Sequence, residues 1–374
     1  MVEFKYKSID MFVKAFLLLV LIVRNFMDNT KKIFEMKDVT IHNDNVLSLY
    51  GEWETPDVII SDGGYGVSGF QGDAKEPSEL KSWYEPHIQA WSKFAKSGTT
   101  LWFWNTEIGW ATVHPILDQC GWEYISCNVW NKGLNHIAGN CNLPTLKHFP
   151  IVTEICVQYA KRPEFKVNEK NLTLKEWLRY EWERTGLSFY KANEACGLAN
   201  AATRKYLTKC HLWYAPPGEH FERMVIYANE YGKEEGKPYF SLNSKYPITR
   251  QRYEKLFPKF DGKYGITNVW EHPPLHNGER IKIFGSQKCA HLNQKPLKLI
   301  KTIIEVSSKP CDVIWEPFGG LCTAGLASYI TNRRALCAEI DKEIFGIAVK
   351  RFDSFTTDLL DYVFQNEVEH VTAD

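Results

Sequence analysis

What the chain lacks sets the first limits on its function. No apolar run reaches the roughly twenty residues that a membrane-spanning helix requires. The nearest candidate, residues 11–23 (MFVKAFLLLVLIV), is interrupted by Lys14. Lys5 and Lys7 precede that run as basic residues precede a secretion signal, but Arg24-Asn25-Phe26 offers no small-residue cleavage site. Residues 1–35 therefore read as an N-terminal extension: either an over-long reading frame whose native start is Met27 or Met36, or an added helix. None of the ten cysteines sits in a C-x-x-C pair or a zinc-ligand spacing. That argues against a disulfide framework and predicts buried reduced thiols, no metal, no membrane and a cytoplasmic location. Net charge is absent too, since 45 Lys and Arg balance 45 Asp and Glu. Any binding of a polyanion must rely on positive charge gathered on one face. No internal repeat or low-complexity tract is present.

What is there is a globular composition, 44% hydrophobic and 24% charged over 374 residues, enough for one large core or two smaller ones. The most informative stretch is residues 295–342. A helix over 296–306 leads to an apolar strand over 312–315, which ends in Glu316-Pro317-Phe318-Gly319-Gly320. Small residues then open a helix over 323–330, and a second strand, 335–340, ends at Glu339 and Asp341. Glycines after a strand let a ligand approach the backbone, and the following helix start offers unpaired N–H groups. An acid about twenty residues further on is placed to hold ribose hydroxyls.

A second strand, 58–60, is followed by Ser61-Asp62-Gly63-Gly64-Tyr65-Gly66. An acid, two permissive backbone units and an aromatic suit a pocket for a flat heterocycle. The acid accepts from an exocyclic amine, a neighbouring carbonyl accepts the other hydrogen, and the ring stacks on Tyr65.

The first stretch resembles the cofactor motif of the amino-methylating DNA methyltransferases, Asp-Pro-Phe-x-Gly-Ser-Gly-Thr, with Glu316, Pro317, Phe318, Gly320 and Thr323 in matching places. His291-Leu292-Asn293-Gln294-Lys295-Pro296 is similar to the family's His-Pro-Thr-Gln-Lys-Pro signature, and Asp62 and Tyr65 match its Asp-Pro-Pro-Tyr. Glu316 replaces Asp, Leu321-Cys322 replaces Ser-Gly, and Gly63-Gly64 replaces both prolines, removing their fixed φ. The catalytic-type motif precedes the cofactor-type motif, as in the family's beta group, and the resemblance covers roughly residues 36–355.

The resemblance implies an α/β fold, a Rossmann-like S-adenosylmethionine-dependent methyltransferase sheet with a helical target-recognition insert. Both motifs are expected at the carboxyl ends of neighbouring strands. The implied organisation is a catalytic half over 36–160, an insert over 161–265 and a cofactor half over 266–374. Asp62, Gly63, Gly64 and Tyr65 are expected to be catalytic. Asp44, Lys295, Glu316, Pro317, Phe318, Gly320, Thr323 and Glu339 are expected at the cofactor. An exocyclic amine is a poor nucleophile because its lone pair is delocalised into the ring. Hydrogen bonds accepted from both its hydrogens free that lone pair, so no cysteine nucleophile is needed, but the base must leave the helix stack.

Composition shifts near Arg162. Residues 161–260 carry 19 Lys and Arg against 12 Asp and Glu. A helix over 174–184, a second ending at Cys196-Gly197 and a third over 200–207 suggest a helix-turn-helix, with Thr203, Arg204 and Lys205 facing DNA. Lys132, at a strand end, is a further candidate for phosphate or base. A solvated charged face is the competing reading of Arg204 and Lys205.

The activity implied is site-specific methylation of duplex DNA, with N6 of adenine as target and N4 of cytosine as the alternative. A cognate restriction endonuclease and a homodimer are expected from the group. A protein or RNA methyltransferase would share the cofactor turn without needing the basic insert. From another class, a DNA-binding protein with an inactive methyltransferase core remains open.

Overall fold

The computed structural model describes residues 32–355 apart from 68–71, 135–141, 243, 263–264, 276–278, 284–286 and 292. The apolar run over 11–23, Leu292 and most of the N-terminal extension lie outside the described residues.

A short hairpin, β1 (Ile33–Met36) and β2 (Val39–His42), opens the described chain, and β3 (Val58–Ser61) follows. Then come α1 (Leu80–Phe94), β4 (Thr100–Asn105), α2 (Glu107–Gln119), β5 (Trp122–Asn131) and β6 (Thr153–Lys161). The insert contributes a two-stranded β7 (Phe165–Val167) and β8 (Lys170–Leu172) and the helices α3 (Leu174–Arg184), α4 (Tyr190–Cys196), α5 (Gly218–Tyr231) and α6 (Arg250–Glu254). Last are β9 (Val269–Glu271), α7 (Leu297–Ser307), β10 (Val313–Glu316), α8 (Thr323–Ile330) and β11 (Arg334–Ala338), with a helix over 342–355 behind them.

Nine strands form one sheet in the order β1-β2-β11-β10-β3-β4-β6-β5-β9. From β2 to β4 every pairing is parallel, and β6 runs antiparallel between β4 and β5. The central strands are apolar throughout because both faces are covered. Val58, Ile60, Trp102, Trp104 and Ile314 enter a core with α7, α8 and the helix over 342–355. Ile59, Leu101, Phe103, Val313 and Trp315 enter the opposite core with α1 and α2. This alternation is the period of two that a strand imposes. The α/β expectation holds, and the parallel register of Ile314 on Val58 sets the two motif strands side by side.

A third core lies wholly between Phe165 and Phe257. Thr173 and Glu176 close a capping box that starts α3 at the residue the sequence spacing predicts. The expected helix-turn-helix takes a different form. Gly197 ends α4 in the left-handed conformation, but residues 202–206 make a single π-helical turn, not an eight-residue recognition helix. Asn193 is the physical reason: its side-chain amide bonds the Thr203 hydroxyl at 2.6 Å and its carbonyl oxygen accepts from the Thr203 N–H at 3.2 Å, pinning the turn against α4.

Among the described residues no helix is long and apolar enough to cross a membrane. Nine cysteines there are free thiols.

Candidate active site

The carboxyl ends of β3 and β10 open into one cavity of about 610 Å³, lined at one end by Asp62, Tyr65 and Lys295 and at the other by Asp44, Glu339 and Asp341. In an open parallel sheet this crevice is where ligands bind.

At the Asp62 end the side chains form a closed ionic network. Lys295, almost fully buried, reaches Asp62 Oδ1 at 2.7 Å and Glu154 Oε1 at 3.0 Å. The Tyr65 hydroxyl lies 2.9 Å from Asp62 Oδ1 and 2.6 Å from Glu154 Oε1, and Lys132 completes the set on Glu154 Oε2 at 2.9 Å. Burial alone would raise the Glu154 carboxyl, but Lys295, Lys132 and the Tyr65 hydrogen bond overcome it and hold it at about 2. Burial would likewise lower Lys295, and the two carboxylates lift it instead to about 12. The ammonium also lies 5.2 Å from the ring centres of Tyr65 and Trp104, a favourable seat for a cation.

Gly63 and Gly64 follow Asp62 in a crowded place. A Cβ on Gly63 would lie 2.6 Å from the Phe318 ring, and one on Gly64 would collide with Asp73 Oδ1. The Phe318 ring thus favours glycine at 63, whereas the Asp73 carboxylate beside Gly64 ends a rotatable side chain that can move aside.

At the turn after β10 Glu316 points inward. Its carboxylate oxygens accept from the N–H groups of Ala324 at 2.9 Å and Gly325 at 2.8 Å, capping the start of α8, and burial raises its pKa to about 7. Cys322 stands where the family motif has glycine and takes the left-handed conformation itself, with φ of 50°. Arg351, from the helix over 342–355, bonds the Leu321 carbonyl and the Thr323 hydroxyl at 2.9 and 3.0 Å. Glu339 accepts from the Gly320 N–H at 2.7 Å, and burial raises it to about 7. Phe318 packs edge-on against Tyr84 and His87. Glu316, Cys322 and Cys337 bring three potential ligand atoms within 4.8 Å. The Glu316 oxygens are already engaged by backbone donors.

The structure thus brings together Asp62, Gly63, Gly64, Tyr65, Asp44, Lys295, Glu316, Pro317, Phe318, Gly320, Thr323 and Glu339 around one cavity. It sets the remaining candidates elsewhere. Lys132 ion-pairs with Glu154, 4.6 Å from the Trp130 ring centre, and so joins the network around Asp62 and Lys295. The Thr203 hydroxyl is occupied by Asn193 and by the Phe189 carbonyl, whereas Arg204 is exposed and Lys205 lies beside the Tyr214 ring. Sequence reasoning missed Glu154. The signal was an acid at the head of an otherwise apolar strand, Thr153-Glu154-Ile155-Cys156-Val157.

Parts of the chain are similar in sequence to known proteins. Over 86 residues the chain is 33% identical to DNA adenine methyltransferase YhdJ of Escherichia coli K12, a match covering 23% of this chain and 27% of that protein. Over 126 residues it is 26% identical to type II methyltransferase M2.MboI of Moraxella bovis, covering 32% and 44%. The matched stretches therefore span less than half the length of either relative. A crystal structure of the M1.HpyAVI–SAM complex superposes with a TM-score of 0.48 at 14% identity, over 84% of this chain and 98% of that one. The family model for DNA methylases of the N6/N4 type matches residues 56–350, and the chain belongs to that family.

Proposed function

We propose that this protein is a site-specific DNA methyltransferase that moves a methyl group from S-adenosylmethionine to N6 of adenine in duplex DNA, within a restriction–modification system. The observation that carries the reading is the single cavity joining the Asp62 end of β3 to the Glu316 turn of β10. The donor set fits the cofactor. Carboxylates of Asp44 and Glu339 suit ribose hydroxyls, Phe318 and Ile344 supply apolar wall, and Gly319 and Gly320 bring backbone to the ligand. When bound, S-adenosylmethionine supplies an electrophilic methyl group on a sulfonium.

The protein's own part is to make the amine nucleophilic and aim it. Asp62 accepts one amine hydrogen and the Gly63 carbonyl the other, which pulls the nitrogen towards tetrahedral shape and frees its lone pair. Lys295 fixes the Asp62 carboxylate from behind, while the one Tyr65 hydroxyl proton goes to the nearer Glu154. The excess proton of the methylated amine passes to Asp62, the acceptor already in contact. The base reaches this depth only by leaving the duplex. Exposed Arg204, in the basic insert, contacts phosphate, where Coulomb attraction is independent of sequence. The E. coli relative, named as an adenine methyltransferase, supports the choice of base.

Duplex DNA is incubated with purified protein and labelled S-adenosylmethionine, digested, and its nucleosides separated. Labelled N6-methyladenine is expected from the wild type. Asp62→Ala should lose at least about a thousandfold in kcat, on the scale of losing a general base together with orientation, while calorimetric cofactor affinity stays within a few fold. N4-methylcytosine would overturn the base, and tight cofactor binding with no label in any DNA would favour an inactive core.

A further inference from the structure

Two consecutive glycines have the widest backbone freedom of any dipeptide, yet Gly63-Gly64 must hold a main-chain carbonyl beside Asp62 within a fraction of an ångström. Something other than local sequence must hold it, and the anchor is visible. The Gly64 carbonyl accepts from Asn105 Nδ2 at 2.8 Å and from the Tyr84 hydroxyl at 3.1 Å. Both side chains are wholly buried, with 0% exposure. Asn105 is itself fixed, because its Oδ1 accepts from the Thr106 N–H at 2.9 Å and Gly109 leaves it room that a Cβ would take away. Tyr84 comes from α1 and Asn105 from the end of β4, so the anchor ties the loop to two rigid elements.

We propose that Asn105 and Tyr84 are positioning residues for methyl transfer: by clamping the Gly64 carbonyl they orient the Gly63 carbonyl and the Asp62 carboxylate towards the target amine. This rests on the methyl-transfer reading above. Neither side chain touches the reacting atoms. Their work is to supply, by hydrogen bonding, the rigidity that the two glycines lack. Near-attack geometry is sensitive to displacements of about 1 Å, which can cost about a hundredfold in rate.

The test compares the full-length wild type with Tyr84→Phe, which keeps the ring and removes one donor, and with Tyr84→Phe/Asn105→Ala, which removes both. Hydrogen–deuterium exchange of the peptide covering residues 62–66 is measured without any substrate, alongside kcat on duplex DNA and the cofactor KM. Expected for the double variant are local exchange faster by about tenfold or more, kcat lower by about 10- to 100-fold, and a cofactor KM within about twofold. The single variant should move the same way by less, and it serves if the double variant does not fold. A merely structural role would raise KM or melt the protein without this split. Unchanged exchange in 62–66, or faster exchange with full kcat, overturns the proposal. A wild type that methylates no DNA overturns the substrate reading instead, and the exchange comparison then decides by itself whether these two side chains hold the loop.

Discussion

Glu154 shows how much of the site hangs on one side chain. It is bonded to Tyr65, Lys295 and Lys132 in a largely dry environment. A charge there is tolerable only because its partners are charged, and removing one member of such a set leaves the others buried and unpaired. Glu154→Gln should destabilise the protein by roughly 3 kcal/mol at pH 7, measured by urea denaturation. The pH dependence has a definite sign. The folded-state pKa of about 2 lies below the usual carboxylate value of 4.5, so the ionised form stabilises the fold above pH 4.5 and that stabilisation fades as pH falls towards 2. The gap between wild type and variant should therefore close across that interval. A gap that persists at pH 2 would mean the charge is not what matters. This residue was hidden in the sequence because its partners are distant: Tyr65 lies 89 residues away, and only the sheet's strand order brings them together. Asp62 and Glu316 were legible because each ends an apolar strand beside its own glycines. Asn105, closing β4, carried no signal that its amide reaches back 41 residues to Gly64.

At the scale of elements, hydrophobic period placed α3, and the small residues after the glycine turn placed α8, at their observed bounds, while the five-residue turn over 202–206 escaped both. A helix end depends on side-chain clasps such as Asn193 with Thr203, and periodicity does not encode them. The turn into α8 makes the same point about backbone. Cys322 holds φ of 50°, where an L-residue is disfavoured by roughly 1–2 kcal/mol, and its side chain fills a fully buried space. Cys322→Gly trades relief of that strain against lost packing and should change stability by less than about 1 kcal/mol. Cys322→Val adds a β-branch at a positive φ and should lose at least about 2 kcal/mol more than the glycine variant, with weaker cofactor binding. Denaturant titration of the pair decides it: equal stabilities would mean that the turn relaxes out of the left-handed region. The Gly320 N–H, held by Glu339 at 2.7 Å, makes such relaxation costly.

Across the whole molecule the charge is divided although its sum is zero. Residues 161–260 hold a positive excess, 19 basic against 12 acidic, and the balancing acids lie outside them. Many of those basic side chains are already spent on partners within the insert. Arg179 pairs with Glu183, Arg223 with Glu219 and Arg250 with Glu254. Arg204 is exposed on the π-helical turn, which makes it the better probe of whether the insert meets DNA. A phosphate contact releases about 0.9 of a counterion per charge on duplex DNA, so Arg204→Ala should flatten the slope of log affinity against log salt by close to one unit. The loss should be similar for DNA of any sequence, since a phosphate contact carries no base information. Cofactor affinity should not change, because the cavity between β3 and β10 is built from other parts of the chain. Affinity measured over a salt series with two unrelated duplexes separates the cases. An unchanged slope would remove Arg204 from the interface. A loss confined to one duplex would make it a reader of base edges, giving the short turn after α4 the role that sequence reasoning assigned to a full helix.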